Sequence, residues 1–166
     1  MKFITFSAKE TQAAAKKIAD IFKKHQAKGA AVLALEGELG SGKTTFVQGL
    51  AKALGVKEKV LSPTFVLMKR FGVRPLEPVL NKAKERDKNS PAKAEPPLKD
   101  LYHIDCYRIE SPEELRGFGF GDILKNPGNL MVIEWAEKIK SILPPEAVWI
   151  KFEHKGGDKR IIQIFN

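Results

Sequence analysis

Residues Gly37-Glu38-Leu39-Gly40-Ser41-Gly42-Lys43-Thr44-Thr45 carry the spacing G-x-x-x-x-G-K-T. The chemistry of that spacing is phosphate binding. Its glycines let the backbone turn N–H groups inward onto phosphate oxygens. Lys43 is placed to reach the β- and γ-phosphates, and Thr44 to ligate magnesium through its hydroxyl. The helix that follows adds the positive end of its dipole. A chance glycine-rich turn would lack the context found here, with an apolar run before the loop and an amphipathic stretch after it.

Magnesium-dependent phosphoryl chemistry calls for a carboxylate beside the threonine. Two acids have suitable surroundings. Asp105 closes Leu101-Tyr102-His103-Ile104-Asp105, where a Walker-B aspartate would stand; a plain surface aspartate on an edge strand has the same appearance. Glu134 ends the apolar run Leu130-Met131-Val132-Ile133. An acid at the carboxyl end of a buried strand borders the ligand crevice of an open α/β sheet. There it completes a magnesium shell or orients an attacking water, although an ordinary strand-end acid reads identically. Thr64, in Ser62-Pro63-Thr64, is either a switch residue sensing the γ-phosphate or a turn hydroxyl. His103, Tyr107 and Trp135 read as packing residues, because aromatics beside a sheet usually pack. On this reading Glu134→Ala should damage magnesium-dependent hydrolysis more than the fold.

These residues need a scaffold, and the flanking pattern supplies one. Residues 2–6 alternate as a first strand. Ser7-Ala8-Lys9-Glu10 is a capping box, so a helix should run to about His25 with Ala14, Ile18, Ile21 and Phe22 on its buried face. Ala30–Leu35 reads as a buried strand. The helix after the loop should span Lys43–Leu54, burying Phe46, Val47, Leu50, Ala51 and Leu54, with Gly55 as its terminal glycine. Strands are expected over Thr64–Arg70, Leu98–Ile109 and Leu130–Trp135. Ser111-Pro112-Glu113-Glu114 is a second capping box with proline at the first helical position. Leu115–Leu124 is glycine-rich and ambiguous. Ala136–Leu143 reads as a short helix stopped by Pro144-Pro145, and 147–153 with 160–165 as a closing hairpin. The expected fold is an α/β domain, a P-loop NTPase-type sheet sandwiched by helices, with a C-terminal antiparallel hairpin.

Composition bounds the partners. The chain has 166 residues, the size of one domain. We expect a single P-loop ATPase domain with a flexible basic insertion at about 73–98, which holds five of the ten prolines. The net charge of +9 hints at RNA. Residues 69–99 alone hold nine Lys/Arg against four Asp/Glu, a net +5, leaving +4 for the rest. A solvated basic loop explains that at least as well as an RNA-binding patch. No apolar run approaches the roughly 20 residues that span a bilayer. Met1–Phe6 is too short and strand-like for a signal peptide, so a cytoplasmic protein is the default and no membrane partner is expected. Cys106 is the sole cysteine, which excludes an internal disulfide, and His25, His103 and His154 lack zinc-ligand spacing.

GELGSGKTTF, SPTF, YHIDCYR and IEW, in this order, resemble the TsaE (formerly YjeE) family of bacterial tRNA threonylcarbamoyladenosine biosynthesis ATPases. The family's Gly-rich loop, S-P-T, H-x-D-x-Y-R and E-W are intact at Gly37–Thr45, Ser62–Thr64, His103–Arg108 and Glu134-Trp135. The stretch Ser111–Leu115 is also similar. The resemblance covers roughly residues 3–70 and 99–150. The chain departs from the family in its long basic insertion and in the glycine-rich run at 117–121.

The resemblance implies an accessory ATPase that binds and hydrolyses ATP with magnesium (Mg2+). Its partners would be the two proteins that install the threonylcarbamoyl group at tRNA position 37, in tRNAs reading codons that begin with A, with tRNA contacted indirectly or weakly. By motif, Lys43 holds phosphate, and Thr44 and Glu134 hold magnesium. Asp105 joins the same metal and water network, Thr64 is the switch, and Thr11 matches a threonine near the adenine end. Within the four motifs Arg108 is the sole arginine. Hydrolysis is therefore expected to be slow alone and stimulated by partners. Two rival readings stand beside this one. A small-molecule or nucleotide kinase would need a lid, for which Arg70, Arg74 and Arg86 are available. An RNA-binding module with a static nucleotide site would draw on the basic charge.

Overall fold

The computed structural model describes residues 1–22, 28–73 and 98–165. Its seven strands form one sheet in the order β1-β7-β6-β2-β5-β4-β3. They are β1 (Lys2–Thr5), β2 (Ala31–Glu36), β3 (Met68–Gly72), β4 (Asp100–Asp105), β5 (Asn129–Glu134), β6 (Val148–His154) and β7 (Arg160–Phe165). Strands β6, β2, β5 and β4 run parallel. The outer strands β3, β7 and β1 pair antiparallel to their neighbours. The carboxyl ends of the four parallel strands thus share one edge of the sheet, where ligands of such sheets bind.

Two apolar layers cover the sheet. On one face, α1 (Ala8–Phe22) and α2 (Lys43–Ala53) pack over Leu33, Leu35, Leu101, Leu130, Val132, Ile150 and Phe152. On the other face, Val32, Ala34, Ile104, Met131 and Ile133 meet Leu115, Phe120, Ala136 and Ile139. Alternation along β2 and β5 sends successive residues to opposite layers, and both strands are buried on both faces. The P-loop NTPase-type sheet between two covering layers is the architecture expected from the sequence.

Local chemistry explains the helix starts. The Glu10 N–H donates to Ser7 Oγ at 3.1 Å, while Glu10 Oε2 accepts from the Phe6 N–H at 2.9 Å. Every expected core residue of α2 is buried, from Phe46 to Leu54, and Phe46 meets Phe152 edge-on at 5.4 Å. Gly55 takes φ 81° just past the helix.

The helices cross closely. A Cβ on Gly49 would lie 2.5 Å from Gln12 Cα and 2.7 Å from Gln12 O, both backbone atoms of α1. Alanine normally favours a helix over glycine by about 1 kcal/mol. The overlap should win here, since overpacking costs about 1–3 kcal/mol. We expect Gly49→Ala to lower the melting temperature by several degrees. A melting temperature equal to or above that of the unmodified protein would refute the contact.

Several expectations are corrected. Ile21 is 50% exposed, because Ala14, Ala15, Ile18, Ala19 and Phe22 form the inward stripe and Ile21 falls beside it. The strand expected from Thr64 begins only at Met68: residues 64–66 turn, and Leu67 adopts φ 64°. The strand expected to reach Ile109 ends at Asp105. The two short helices, Pro112–Phe118 and Ala136–Ile142, are 3-10 in type. In the first, Glu114 Oε1 accepts from the N–H groups of Glu110 and Ser111. The ambiguous stretch divides at Gly119 into that 3-10 segment and α3 (Phe120–Lys125). The closing hairpin forms as expected from β6 and β7, and it joins the sheet through β6 to β2 and through β7 to β1. The helix end near His25 and the bulk of the basic insertion, residues 74–97 with Arg74 and Arg86, lie outside the described residues.

Candidate active site

β2 delivers the chain into the glycine-rich loop, and α2 starts at Lys43. Gly42 adopts φ 101°, a conformation that favours glycine, and its carbonyl accepts from the Phe46 N–H at 2.9 Å. Leu39, Gly40, Ser41, Gly42, Lys43, Thr44 and Thr45 line one wall of a cleft of about 380 Å3. Ser62, Thr64, Asp105, Tyr107, Glu134, Trp135 and Arg160 complete it.

The two carboxylates are register partners, with Asp105 opposite Glu134 at the ends of β4 and β5. Each is nearly buried and each is hydrogen-bonded. Thr44 Oγ1 lies 2.9 Å and 3.0 Å from the two oxygens of Glu134. His103 Nε2 lies 2.8 Å from Glu134 Oε1, with the imidazole fully buried and its Nδ1 without a partner among the described residues. Two residues before Asp105 on β4, His103 lies diagonally across from Glu134, within reach of a ring. Asp105 Oδ2 accepts from Ser62 Oγ at 2.6 Å and from Thr64 Oγ1 at 2.5 Å, and Oδ1 accepts from the Tyr107 N–H at 3.0 Å. Such bonds offset the cost of taking a carboxylate out of water.

Lys43 is buried against the loop that it serves. Its ammonium donates to Gly37 O at 2.5 Å and Glu38 O at 2.9 Å, and stands 4.1 Å from the centroid of the Trp135 ring. Burial holds its pKa below the ordinary lysine value, against the opposing pull of Glu134, Glu137 and Asp105. Trp135 is turned under the lysine by φ 59°, and its ring leans on Tyr107 at 5.2 Å. Lys138 Nζ secures the chain after Asp105 by donating to Tyr107 O and Ile109 O.

The donor set fits magnesium and phosphate. Thr44 gives its proton to Glu134 and keeps lone pairs for a cation, with Asp105 on the neighbouring strand. Magnesium prefers such hard oxygens and keeps phosphate and water in its shell. Ser41 Oγ is buried without a partner among the described residues, at the foot of the same loop.

Of the residues singled out from the sequence, the fold gathers Lys43, Thr44, Thr64, Asp105, Glu134 and the loop from Leu39 to Thr45 around one cleft. Gly37 and Glu38 lead into it and receive the lysine. Thr11 does not line the cleft itself but stands beside the loop, its Cγ2 3.9 Å from where a Cβ on Gly42 would lie; it is buried, donates to Ser7 O at 3.2 Å and pairs with the Thr5 hydroxyl at 3.0 Å. Sequence reasoning assigned no site role to Ser62, His103, Tyr107, Trp135 or Arg160. The first four stand inside the recognisable motifs, and that position was the available signal.

Lys43 also gives the cleft an optical reporter. With Trp149 replaced by phenylalanine, saturating Mg-nucleotide should change the Trp135 emission as the ammonium leaves the ring for phosphate. Identical spectra with and without bound nucleotide would show that Lys43 stays on Trp135.

A parallel-centred sheet, a glycine-rich loop running from strand to helix, and a lysine and threonine at that helix start define a P-loop NTPase fold. The family model described as "Threonylcarbamoyl adenosine biosynthesis protein TsaE" matches residues 5–81 and 88–162, and the chain belongs to the TsaE family. It is 35% identical to the tRNA threonylcarbamoyladenosine biosynthesis protein TsaE of Bacillus subtilis over 164 residues, covering 98% of this chain and 83% of that one. To the protein of the same name from Rickettsia prowazekii it is 32% identical over 159 residues, covering 95% and 90%. The crystal structure of Bacillus subtilis YdiB superposes with a TM-score of 0.66 at 30% identity, covering 99% of this chain and 83% of that one. Among the described residues no helix is long and apolar enough to cross a membrane.

Proposed function

We infer that this protein is a magnesium-dependent ATP hydrolase that supports the assembly forming threonylcarbamoyladenosine in tRNA. The observation that carries the reading is the paired network at the strand ends. Glu134 is held by Thr44 and His103, and Asp105 by Ser62 and Thr64, all facing the loop. Magnesium, when bound, neutralises charge on the terminal phosphates. The loop N–H groups and Lys43 hold the phosphate chain, so catalysis is mainly positioning and charge stabilisation. Glu134 anchors the Thr44 hydroxyl, and Asp105 orients water at the neighbouring strand end. Thr64, bonded to Asp105, is the switch residue that would sense the γ-phosphate of ATP. The single ATPase domain carries the basic segment at about 73–98 as an insertion. The setting is the cytoplasm, and the partners are the two other proteins of the threonylcarbamoyl-transfer complex.

The test is phosphate release from Mg-ATP by the protein alone, and with its two partner proteins and tRNA. We expect slow release alone and a clear stimulation by the assembly. Equal rates in both settings would remove the accessory role. Phosphorylation of an acceptor in place of free phosphate release would make the protein a kinase.

A further inference from the structure

Arg108 is the sole arginine of the four motifs, yet it stands outside the lining of the cleft, to which its neighbour Tyr107 belongs. It is exposed, and it has no hydrogen-bond or ion-pair partner among the described residues. Its guanidinium lies instead on the ring of Phe65, with Cζ 4.4 Å from the centroid. Phe65 is 84% exposed, so the core does not hold this ring in place. A cation over an aromatic face is attracted by the negative charge of that face.

The two partners belong to unequal segments. Arg108 sits on a firm turn at the end of β4. There the Cys106 N–H donates to Glu134 O at 3.0 Å, the Ile109 N–H to Cys106 O at 3.1 Å and the Tyr107 N–H to Asp105 Oδ1 at 3.0 Å. Lys138 binds the carbonyls of Tyr107 and Ile109 as well. Phe65 sits on a thinly covered loop whose ends are fixed. Gln48 of α2 donates to Val60 O at 3.1 Å, and Leu67 O accepts from the Asp105 N–H at 2.9 Å. Between those ends Pro63 is buried, while Leu61, Phe65 and Val66 are exposed. Side chains of the loop grip the turn at two points. The Ser62 and Thr64 hydroxyls bind Asp105 Oδ2, and the Phe65 ring meets Arg108. Thr64 and Phe65 are consecutive, so a contact that fixes the ring also restrains the hydroxyl beside it.

We propose that Arg108 is a positioning residue for Thr64, holding the 61–66 loop at the cleft through the face of Phe65. The inference rests on the switch role proposed for Thr64 and adds the group that keeps that switch in place. An arginine that stabilised the γ-phosphate directly would have to enter the cleft. Arg108 acts on the loop from outside it, and its effect passes through an aromatic ring.

The test combines three measurements on the unmodified protein, Arg108→Gln, Phe65→Leu and the double variant. They are hydrogen exchange of the 64–66 amides, kcat at saturating Mg-ATP, and calorimetric affinity for Mg-ADP. Both side chains are exposed, and melting curves would verify that each variant folds. The strength of an exposed cation–π contact predicts that loop exchange rises, and kcat falls, by about two- to fivefold in each single variant. Affinity for Mg-ADP should stay unchanged, because neither residue lines the cleft. The double variant should lose no more than either single one, since both remove the same contact. Arg108→Lys keeps a cation and should lie between. Unchanged loop exchange in both single variants would overturn the proposal, as would additive losses or a rise in kcat. A loss of about a thousandfold in Arg108→Gln with Phe65→Leu unaffected would also overturn it, and would make Arg108 an arginine finger. A wild-type protein that hydrolyses no ATP would overturn the underlying functional reading. An active wild type with unaffected variants would sink this inference alone.

Discussion

Lys43→Ala should reduce ATP turnover by about 10²–10³-fold, the usual cost of removing one well-placed charge-stabilising group. The loss should fall mainly on hydrolysis and nucleotide affinity, with a small effect on stability. The ammonium makes two bonds to loop carbonyls and stands over Trp135. Alanine removes both of these part-buried bonds. It also removes a buried cation, and recovering that desolvation offsets part of the lost bonding. Phosphate release at saturating Mg-ATP, read beside a thermal melt, separates the two effects. Turnover within about threefold of the unmodified protein would exclude Lys43 from the phosphate site. So would an unchanged melting shift on adding Mg-ATP.

Glu134→Gln is the second large effect. We expect a fall in kcat of about a hundredfold or more and a higher magnesium requirement. Glutamine keeps the volume of the side chain and can still accept from Thr44 or His103, while its amide group faces a second donor. The structure changes what alanine would report at this position. From the sequence, Glu134→Ala should damage hydrolysis more than the fold. In the protein Glu134 is 3% exposed and bonded to a fully buried imidazole. Leaving a buried polar group without its hydrogen-bond partner costs about 1–3 kcal/mol, so alanine should strike fold and activity together. Glutamine is the variant that separates them. Phosphate release across a magnesium titration checks the claim, and a wild-type magnesium midpoint with wild-type kcat would reject Glu134 as part of the cation site.

The partition between sequence and structure follows the range of the interactions. The loop, α2 and the central strands were legible because their determinants are local. Glycine spacing, an apolar run of strand length and a helical stripe from Phe46 to Leu54 all act within a few residues. Local reasoning lost accuracy where the chain serves a contact elsewhere. Residues 64–67 leave the strand pattern so that Ser62 and Thr64 can reach Asp105. Ile21 drops from the core stripe because packing of α1 against α2 and the sheet chooses the inward face.

By itself the sequence determined a phosphate loop with its lysine and threonine, two strand-end acids, and a family signature. The tertiary structure decided how they are held. Thr44 and Glu134 stand ninety residues apart in the chain and 2.9 Å apart in space. No local spacing encodes that closeness; parallel pairing of β2, β5 and β4 creates it. The same sheet makes His103 the support of Glu134 and Ser62 the partner of Asp105. It also brings Arg160, from the last strand, against Gly42. These roles depend on which strands are neighbours, a property of the whole sheet, whereas the loop depends on the conformational freedom of its own glycines.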